Sequence, residues 1–319
     1  MSKTEKTTLL QKIAPNLLHL GEKKLIVACS GGPDSMVLLD LLRVQNTEYK
    51  IQNIIVAHIN HHLRPTSDRD EDIVASYCKK HRLTLEVLQA DIKKEAKKTK
   101  TTIEECARNI RKKWLEEIRK KHLADLIATA HHSDDQAETI LYRITKGTGI
   151  TGLVGIEWET EYYSRPLIWV TKSEILDYAK KNKIPYWHDE TNDDTTIPRN
   201  MLRHEVLPKL QEINPEVTKS LTRLSQSARE LKMSFDVFFR EVLEEKNFTL
   251  DWYHDLPLGF QHELLRCLYE LSNGSTHGLS TSLITELDRF LSTRTGWKKE
   301  IKQMKLEKKQ WSVYLTIKK

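Results

Sequence analysis

The sequence predicts an α/β fold, a doubly wound parallel sheet joined to a smaller, mainly helical C-terminal domain, on three observations. Short β-branched apolar runs alternate with amphipathic stretches through the first half of the chain; the alternation stops near Leu210 and helical periodicity replaces it; and two of the scarce glycines, Gly31 and Gly32, sit where the first strand hands over to a helix. With 319 residues and 39% hydrophobic content there is material for more than one core. Residues 1–212 are assigned to the α/β unit and 213–319 to the second domain.

The runs LIVAC (25–29), NIIVAH (53–58), LTLEVL (83–88) and DLIATA (125–130) read as buried strands. Between them, 35–43, 68–82 and 101–121 carry apolar residues at helical spacing. Strand and helix in alternation require right-handed crossovers and a parallel sheet, whose ligand crevice lies at the carboxyl ends of the strands. Further on, Pro208 and Pro215 bracket a short break, after which Leu221, Leu224, Leu231 and Phe235 continue a helical pattern towards Leu243. One last strand is expected in QWSVYLTI (310–317), where apolar and polar residues alternate.

No apolar run approaches the length of a membrane span, and the N-terminal MSKTEKTTLL has no apolar core of a secretion signal, so a cytoplasmic protein away from membranes is expected. Cys29, Cys78, Cys106 and Cys267 form no CxxC pair, which argues against a disulfide framework and against a zinc or iron–sulfur site. The net charge is only +6, but residues 294–319 hold nine Lys/Arg against two acids, and 93–121 hold twelve against five. Either patch alone reads as a solvated lysine-rich face. Two of them on a nearly balanced remainder suit a polyphosphate partner, since each neutralised phosphate releases counterions.

Six of the eleven glycines sit in two loops, Gly31 and Gly32, then Gly147, Gly149, Gly152 and Gly155. The first loop, SGGPDSM (30–36), follows a strand and opens a helix. Gly31 and Gly32 let the backbone approach an anion, Ser30 and Ser35 add hydroxyl donors, and the helix N-terminus beyond Pro33 offers free N–H groups. It lacks the lysine of GxxxxGK[ST] and the spacing of GxGxxG. Asp34 inside an anion cradle makes sense with a cation beside it, and Mg²⁺ bridging carboxylate and phosphate is the candidate. Without its surroundings, Pro33-Asp34 is a turn with an N-cap aspartate.

Further motifs follow at the other strand ends. VAHINHHLR (56–64) closes the second strand. In CARNIRKKW (106–114), Arg108 and Arg111 share a helix face and offer two guanidinium forks to phosphates, or serve as ordinary surface arginines. ATAHHSDDQAET (128–139) spaces His132, Asp135 and Glu138 three apart, with Asp134 four before Glu138. So many acids at one strand end call for cations, and Ser133 or Asp134 serves as the N-cap. KGTGITGLVGI (146–156) carries the hinge freedom of a closing loop. SRPLIWVTKSEI (164–175) places Arg165 before an expected strand. WHDETNDDTTIPRNMLRHEVLP (187–208) sets Arg199 and Arg203 one helical turn apart, able to grip phosphates or to pair with Glu205.

Taken in order, these motifs resemble the N-type ATP pyrophosphatases, the PP-loop family, which share SGGPDS and adenylate a substrate with ATP. Asp189, Asn192, Arg199, Asn200 and Arg203 match the D-x-x-N…R-N-x-x-R stretch of tRNA(Ile)-lysidine synthetases, and no catalytic cysteine pair of a tRNA thiolase is present. The resemblance spans 24–215 and implies a Rossmann-like PP-loop catalytic domain. Beyond it, LPLGFQHELLRCLYE (256–270) and the basic end resemble the family's tRNA-contacting domain loosely; longer members carry one more C-terminal domain, which a chain ending at Lys319 is expected to lack.

The activity implied has two steps. The carbonyl oxygen of the wobble cytidine in the CAU anticodon of tRNA(Ile) attacks the α-phosphate of ATP and pyrophosphate leaves; the ε-amine of free L-lysine then attacks the activated ring carbon and AMP leaves. Reading of the codon shifts from AUG to AUA. Ser30, Gly31, Gly32, Pro33, Asp34 and Ser35 would hold ATP, with Ala57 and His58 beside adenine and Asp34 on Mg²⁺. Asp135 and Glu138 would bind lysine and take its proton, while Arg108, Arg111, His132, Arg199 and Arg203 complete the catalytic set. The oligomeric state stays open, a homodimer included. A sulfur-transferring PP-loop enzyme and a non-enzymatic RNA-binding protein are the competing readings.

Overall fold

The structure is a computed structural model and describes residues 3–49, 54–62, 67–187, 198–274, 276, 278–293 and 296–318. The chain divides into two compact units, Met1–Gln226 and Ser227–Lys319.

In the first unit, α1 (Lys3–Leu18) precedes β1 (Leu25–Ala28), α2 (Pro33–Tyr49), β2 (Ile54–Asn60), α3 (Ser67–His81), β3 (Thr84–Gln89), α4 (Ile92–Thr99), α5 (Ile103–Lys121), β4 (Leu126–Ala128) and α6 (Ser133–Thr145). After them come β5 (Tyr163–Ser164), α7 (Lys172–Lys181), α8 (Pro198–Met201), α9 (Leu207–Ile213) and α10 (Val217–Phe238), which runs through the division. The sheet is parallel throughout with strand order β3-β2-β1-β4-β5. Alternate residues of β1 face opposite layers. Leu25 and Val27 pack with α1, α2, α3 and α7, whereas Ile26 packs with Ile55, Ile127 and the α5 residues Leu115 and Ile118. Apolar side chains on both faces are what make these strands central.

The chain moves from β1 outward to β3, then returns to place β4 on the other side of β1. That reversal opens a crevice at the carboxyl ends of β1 and β4, where the serine–glycine loop and the acid-rich motif emerge.

Two local readings are corrected. The strand expected after Arg165 is a pair of turns, closed by Ile168 N–H on the Arg165 carbonyl (3.1 Å) and Val170 N–H on that of Leu167 (2.8 Å); the strand, β5, comes before Arg165. Pro208 does not break the chain but sits in the first turn of α9. Having no N–H, it leaves the helix without one bond. Residues Leu202–Val206 immediately before it form a π turn, with Leu207 N–H bonded to the Leu202 carbonyl.

The second unit is helical, as expected, but it contains more β structure than the final strand. Its elements are α11 (Arg240–Glu245), β6 (Asn247–Thr249), α12 (Leu250–Asp255), α13 (Leu258–Asn273), α14 (Thr281–Ser292), β7 (Lys298–Ile301), β8 (Met304–Lys309) and β9 (Ser312–Ile317). The strands form an antiparallel sheet ordered β6-β9-β8-β7, with Met304, Leu306, Val313 and Leu315 turned into a core with Leu264, Leu268 and Leu287.

Candidate active site

The loop after β1 is wound around two hydroxyls. Ser35 Oγ accepts from Ser30 N–H (3.1 Å) and donates to the Gly32 carbonyl (3.0 Å), and Ser30 Oγ lies 3.2 Å from it. Gly31 has φ +87°, where a Cβ would also come within 3.1 Å of the Asp70 carbonyl, so glycine is required twice over. Its own carbonyl accepts from Trp187 N–H at 3.0 Å, and the Arg69 guanidinium lies 4.3 Å above that indole. Pro33 opens α2, a favoured use of its missing N–H, and the first turn is left with donors for an anion.

Beside this loop, β4 gives way to α6. The N-cap of α6 is His132, not Ser133 or Asp134: Asp134 N–H bonds to His132 Nδ1 (3.3 Å), and Asp135 returns a carboxylate to His132 N–H (2.9 Å). The imidazole is buried and its Nε2 lies 3.7 Å from Asp34 and 3.5 Å from Asp135. Burial opposes its charged form, but Asp135, Asp134 and Asp34 outweigh that and raise His132 above its ordinary value. Asp134 moves the other way. Burial would lift it, yet His132 and the Lys172 N–H hold it below the usual carboxylate range.

Arg203, in the π turn, reaches both remaining acids, with Nε on Glu138 (2.6 Å) and Nη2 on Glu138 (3.0 Å) and Asp135 (3.2 Å). Glu138 is 3% exposed. Burial pushes its carboxyl up, and the Arg203 fork offsets this only in part. At the other end, the ammonium of Lys172 bonds both oxygens of Asp34, at 2.6 and 2.7 Å. The result is a chain of polar contacts, Lys172–Asp34–His132–Asp135–Arg203–Glu138, crossing the crevice from the serine–glycine loop to α6.

Asp34, His132, Asp135, Glu138 and Arg203 are therefore brought together. Arg108, Arg111 and Arg199 are exposed and form no ion pair with these acids among the described residues. Arg111 still acts at the end of β2: burial lowers His61 to about 4, and the Arg111 charge adds to it. Arg199 lies close enough to Arg143 to disfavour its charge. Ala57 and His58 are buried; the Ala57 carbonyl accepts from Cys29 N–H (2.9 Å) and His58 Nδ1 meets the Cys29 carbonyl (2.9 Å), so both brace the loop from below. Asp189 and Asn192 lie outside the described residues.

Two residues escaped the sequence reading. Lys172 is one, although Thr171 and Glu174 form a capping box that marks a helix start around it. Gln136 is the other. Fully buried, it donates to the Val154 carbonyl (2.9 Å) and accepts from Ile156 N–H (2.6 Å), while Arg143 donates to the Gly152 carbonyl (2.6 Å). The glycine loop expected to hinge is thus tied down over its second half.

Residues 2–210 match the family described as PP-loop domain. The tRNA(Ile)-lysidine synthase of Thermotoga maritima is 39% identical over 208 residues, covering 65% of this chain and 50% of that protein. That of Porphyromonas gingivalis is 32% identical over 312 residues, covering 90% of this chain and 67% of that one. The chain spans 50% and 56% of the length of the Thermotoga maritima and Thermosipho africanus relatives. Among solved structures, the U34-tRNA thiolase NcsA from Methanococcus maripaludis shares the fold, with TM-score 0.57 and 18% identity over 69% of this chain and 77% of that one.

Proposed function

The chain belongs to the PP-loop family and, within it, to the tRNA(Ile)-lysidine synthases, and from that premise we propose that it ligates L-lysine to the wobble cytidine of the CAU anticodon of tRNA(Ile), consuming ATP and releasing AMP and pyrophosphate. The modification changes the codon read from AUG to AUA. The observation that carries this reading is the chain of polar contacts joining Asp34 at the phosphate loop to Asp135 and Glu138 on α6. A triphosphate at the first and an amine at the second would meet in one crevice.

The residues fit their parts. The Ser30–Ser35 loop and the α2 N-terminus would hold the phosphates and favour the departing pyrophosphate. Asp34 suits Mg²⁺ delivered by the nucleotide: it is one carboxylate at a phosphate cradle, and among the described residues no group of three or more His, Cys, Asp or Glu forms a cage of its own. Bound there, Mg²⁺ would neutralise charge on the phosphates. Free lysine carries its ε-amine as ammonium, with a pKa of about 10.4, so it must be bound as a cation and then deprotonated. Asp135 would provide the countercharge, and Glu138, whose carboxyl is raised by burial, would accept the proton. Arg108, Arg111 and Arg199, all exposed, would take tRNA or nucleotide phosphates, and the basic end of the second unit would add to tRNA binding. No helix among the described residues is long and apolar enough to cross a membrane; the cytoplasmic site of action proposed here follows from the tRNA substrate.

Sulfur transfer loses support from the cysteines. All four are buried and unpaired, and burial raises Cys29, Cys78 and Cys267, the last two to about 12. The deciding experiment is transfer of radiolabelled lysine into tRNA(Ile) bearing CAU, with ATP and Mg²⁺, beside Asp34→Ala. Incorporation lost in the variant is expected; tRNA-dependent pyrophosphate release without lysine incorporation would point to another nucleophile.

A further inference from the structure

Lys172 is given no role in the two proposed reaction steps, yet it is held at several points. It is the first residue of α7, and its N–H donates to Asp134 Oδ2 at 2.8 Å. Around it, Thr171 N–H donates to Glu174 Oε2 (2.8 Å), Glu174 N–H returns to Thr171 Oγ1 (3.3 Å), and Lys12 holds Glu174 from α1 (2.8 Å). The backbone at 172 is therefore fastened by hydrogen bonds, and the side chain reaches from it to Asp34. Its ammonium straddles both oxygens of Asp34, and the two side chains are 36% and 29% exposed, so the pair opens on the crevice.

An ammonium across both oxygens occupies the coordination positions that a divalent cation would claim from Asp34. Ion pairs this open to water are weak and exchange readily. His132 Nε2 lies 3.7 Å from Asp34, but that ring is held by the α6 cap and is not placed to leave with a ligand.

We propose that Lys172 is a displaceable counterion for Asp34. It holds the carboxylate before ligands arrive, yields it to the divalent cation that comes with the triphosphate, and then holds the phosphate oxygens that the cation brings. Lys172 is thus a positioning residue acting through Asp34, and this inference rests on the reading of Asp34 as the metal-holding carboxylate. It predicts opposite effects of one substitution: removing the ammonium frees Asp34 for a bare cation but weakens the grip on the metal–nucleotide.

The test is Mn²⁺ binding to the full chain, read from the resonance of free Mn²⁺, without nucleotide and with an ATP analogue carrying methylene between the α and β phosphorus atoms. Lys172→Met is expected to bind bare Mn²⁺ at least about threefold tighter than the parent and the Mn²⁺–analogue at least about tenfold weaker. Lys172→Arg, which keeps the charge, should stay near the parent, and Asp34→Asn should lose the site. Bare Mn²⁺ binding that is unchanged or weaker in folded Lys172→Met overturns the counterion role. Should that variant not fold, Lys172→Gln answers the same question. Mn²⁺ binding that survives in Asp34→Asn overturns the shared premise about Asp34, an outcome separable from the first because it does not involve Lys172.

Discussion

Replacing Arg203 with alanine isolates the electrostatics of the α6 acids. Its guanidinium makes 2.6 and 3.0 Å bonds to Glu138 and a 3.2 Å bond to Asp135, and the Glu138 side chain is only 4% exposed. Stranding a fully buried charge costs about 3–5 kcal/mol. Arg203 is 35% exposed, so its field is partly screened and water can enter the space it leaves; about 2 kcal/mol is the expected loss near pH 8. Glu138 has an escape in taking a proton. Burial already raises its folded value above the ordinary one, and loss of Arg203 raises it further. A raised folded value means that the folded state binds the proton more tightly than the unfolded chain does. The associated stability is present below the ordinary carboxylate value and lost as pH rises through the folded value, so the Arg203→Ala penalty shrinks in acid. Thermal unfolding at about pH 8 should fall by ~4–8 °C for a unit of this size, and by half that or less at about pH 5. In a Glu138→Gln background the Arg203→Ala loss should be clearly smaller, since only the 3.2 Å bond to Asp135 is then lost. Equal losses at both pH values, or an undiminished loss in the Glu138→Gln background, would refute the reasoning.

Three further outcomes are expected. Glu138→Gln should spare pyrophosphate release while lowering lysine transfer about 100-fold or more, measured side by side; equal loss of both would remove Glu138 from proton transfer. Gly155→Ala places a Cβ at φ +69° and 2.5 Å from Gln136 Oε1, which the Ile156 N–H needs; the strained backbone and displaced amide together cost about 2–4 kcal/mol, and a melting shift under about 2 °C would mean that the clamp yields. Asp40 is buried, which would raise its carboxyl, but Tyr77, Arg43 and Tyr178 bond to it and hold it below the usual range. Its stability is present above an unfolded value of about 3.9 and lost as pH falls through the lower folded value, so the difference in urea midpoint between the parent and Asp40→Asn should narrow towards pH ~3; a constant difference would contradict it.

What was legible in the sequence were features whose cause is local. β1, β2 and β4 announce themselves because both faces are buried, and the serine–glycine loop because glycine and serine are placed where a backbone must turn against an anion. The second sheet was largely hidden. β7 and β8 read as a lysine-rich surface, since their core-facing residues, Met304, Leu306 and Ile301, are separated by Lys298, Lys299, Lys305 and Lys308. Even Lys308 is buried, its ammonium turned onto the carbonyls of Phe290 and Thr293, a use no periodicity reveals. Within the crevice, Asp34, Asp135 and Glu138 stand out in the sequence because acids at strand ends are anomalous. Lys172 and Gln136 were missed because a lysine at a helix start and a glutamine in a first turn are ordinary; only the tertiary partners, 138 and about 20 residues away, make them otherwise.

The pairing of acids with cations across the crevice follows from the way the fold builds it. The carboxyl ends of β1 and β4 bring Asp34 and the α6 acids within a few ångströms of His132, and so much negative charge near a protein interior is unstable without cations. The chain meets that need from outside the sheet, with Lys172 from the start of α7 and Arg203 from the π turn ahead of α9. Both cations come from segments laid down after the strand ends they neutralise, and both pair with side chains rather than with backbone. On the proposed function, a nucleotide-bound metal or a substrate amine entering this crevice would exchange one set of ion pairs for another instead of creating charge pairs from solvated groups. Affinity is lowered by the pairs that must be broken, and ligands that bring no cation to Asp34, or no cation to the α6 acids, gain nothing to offset that loss.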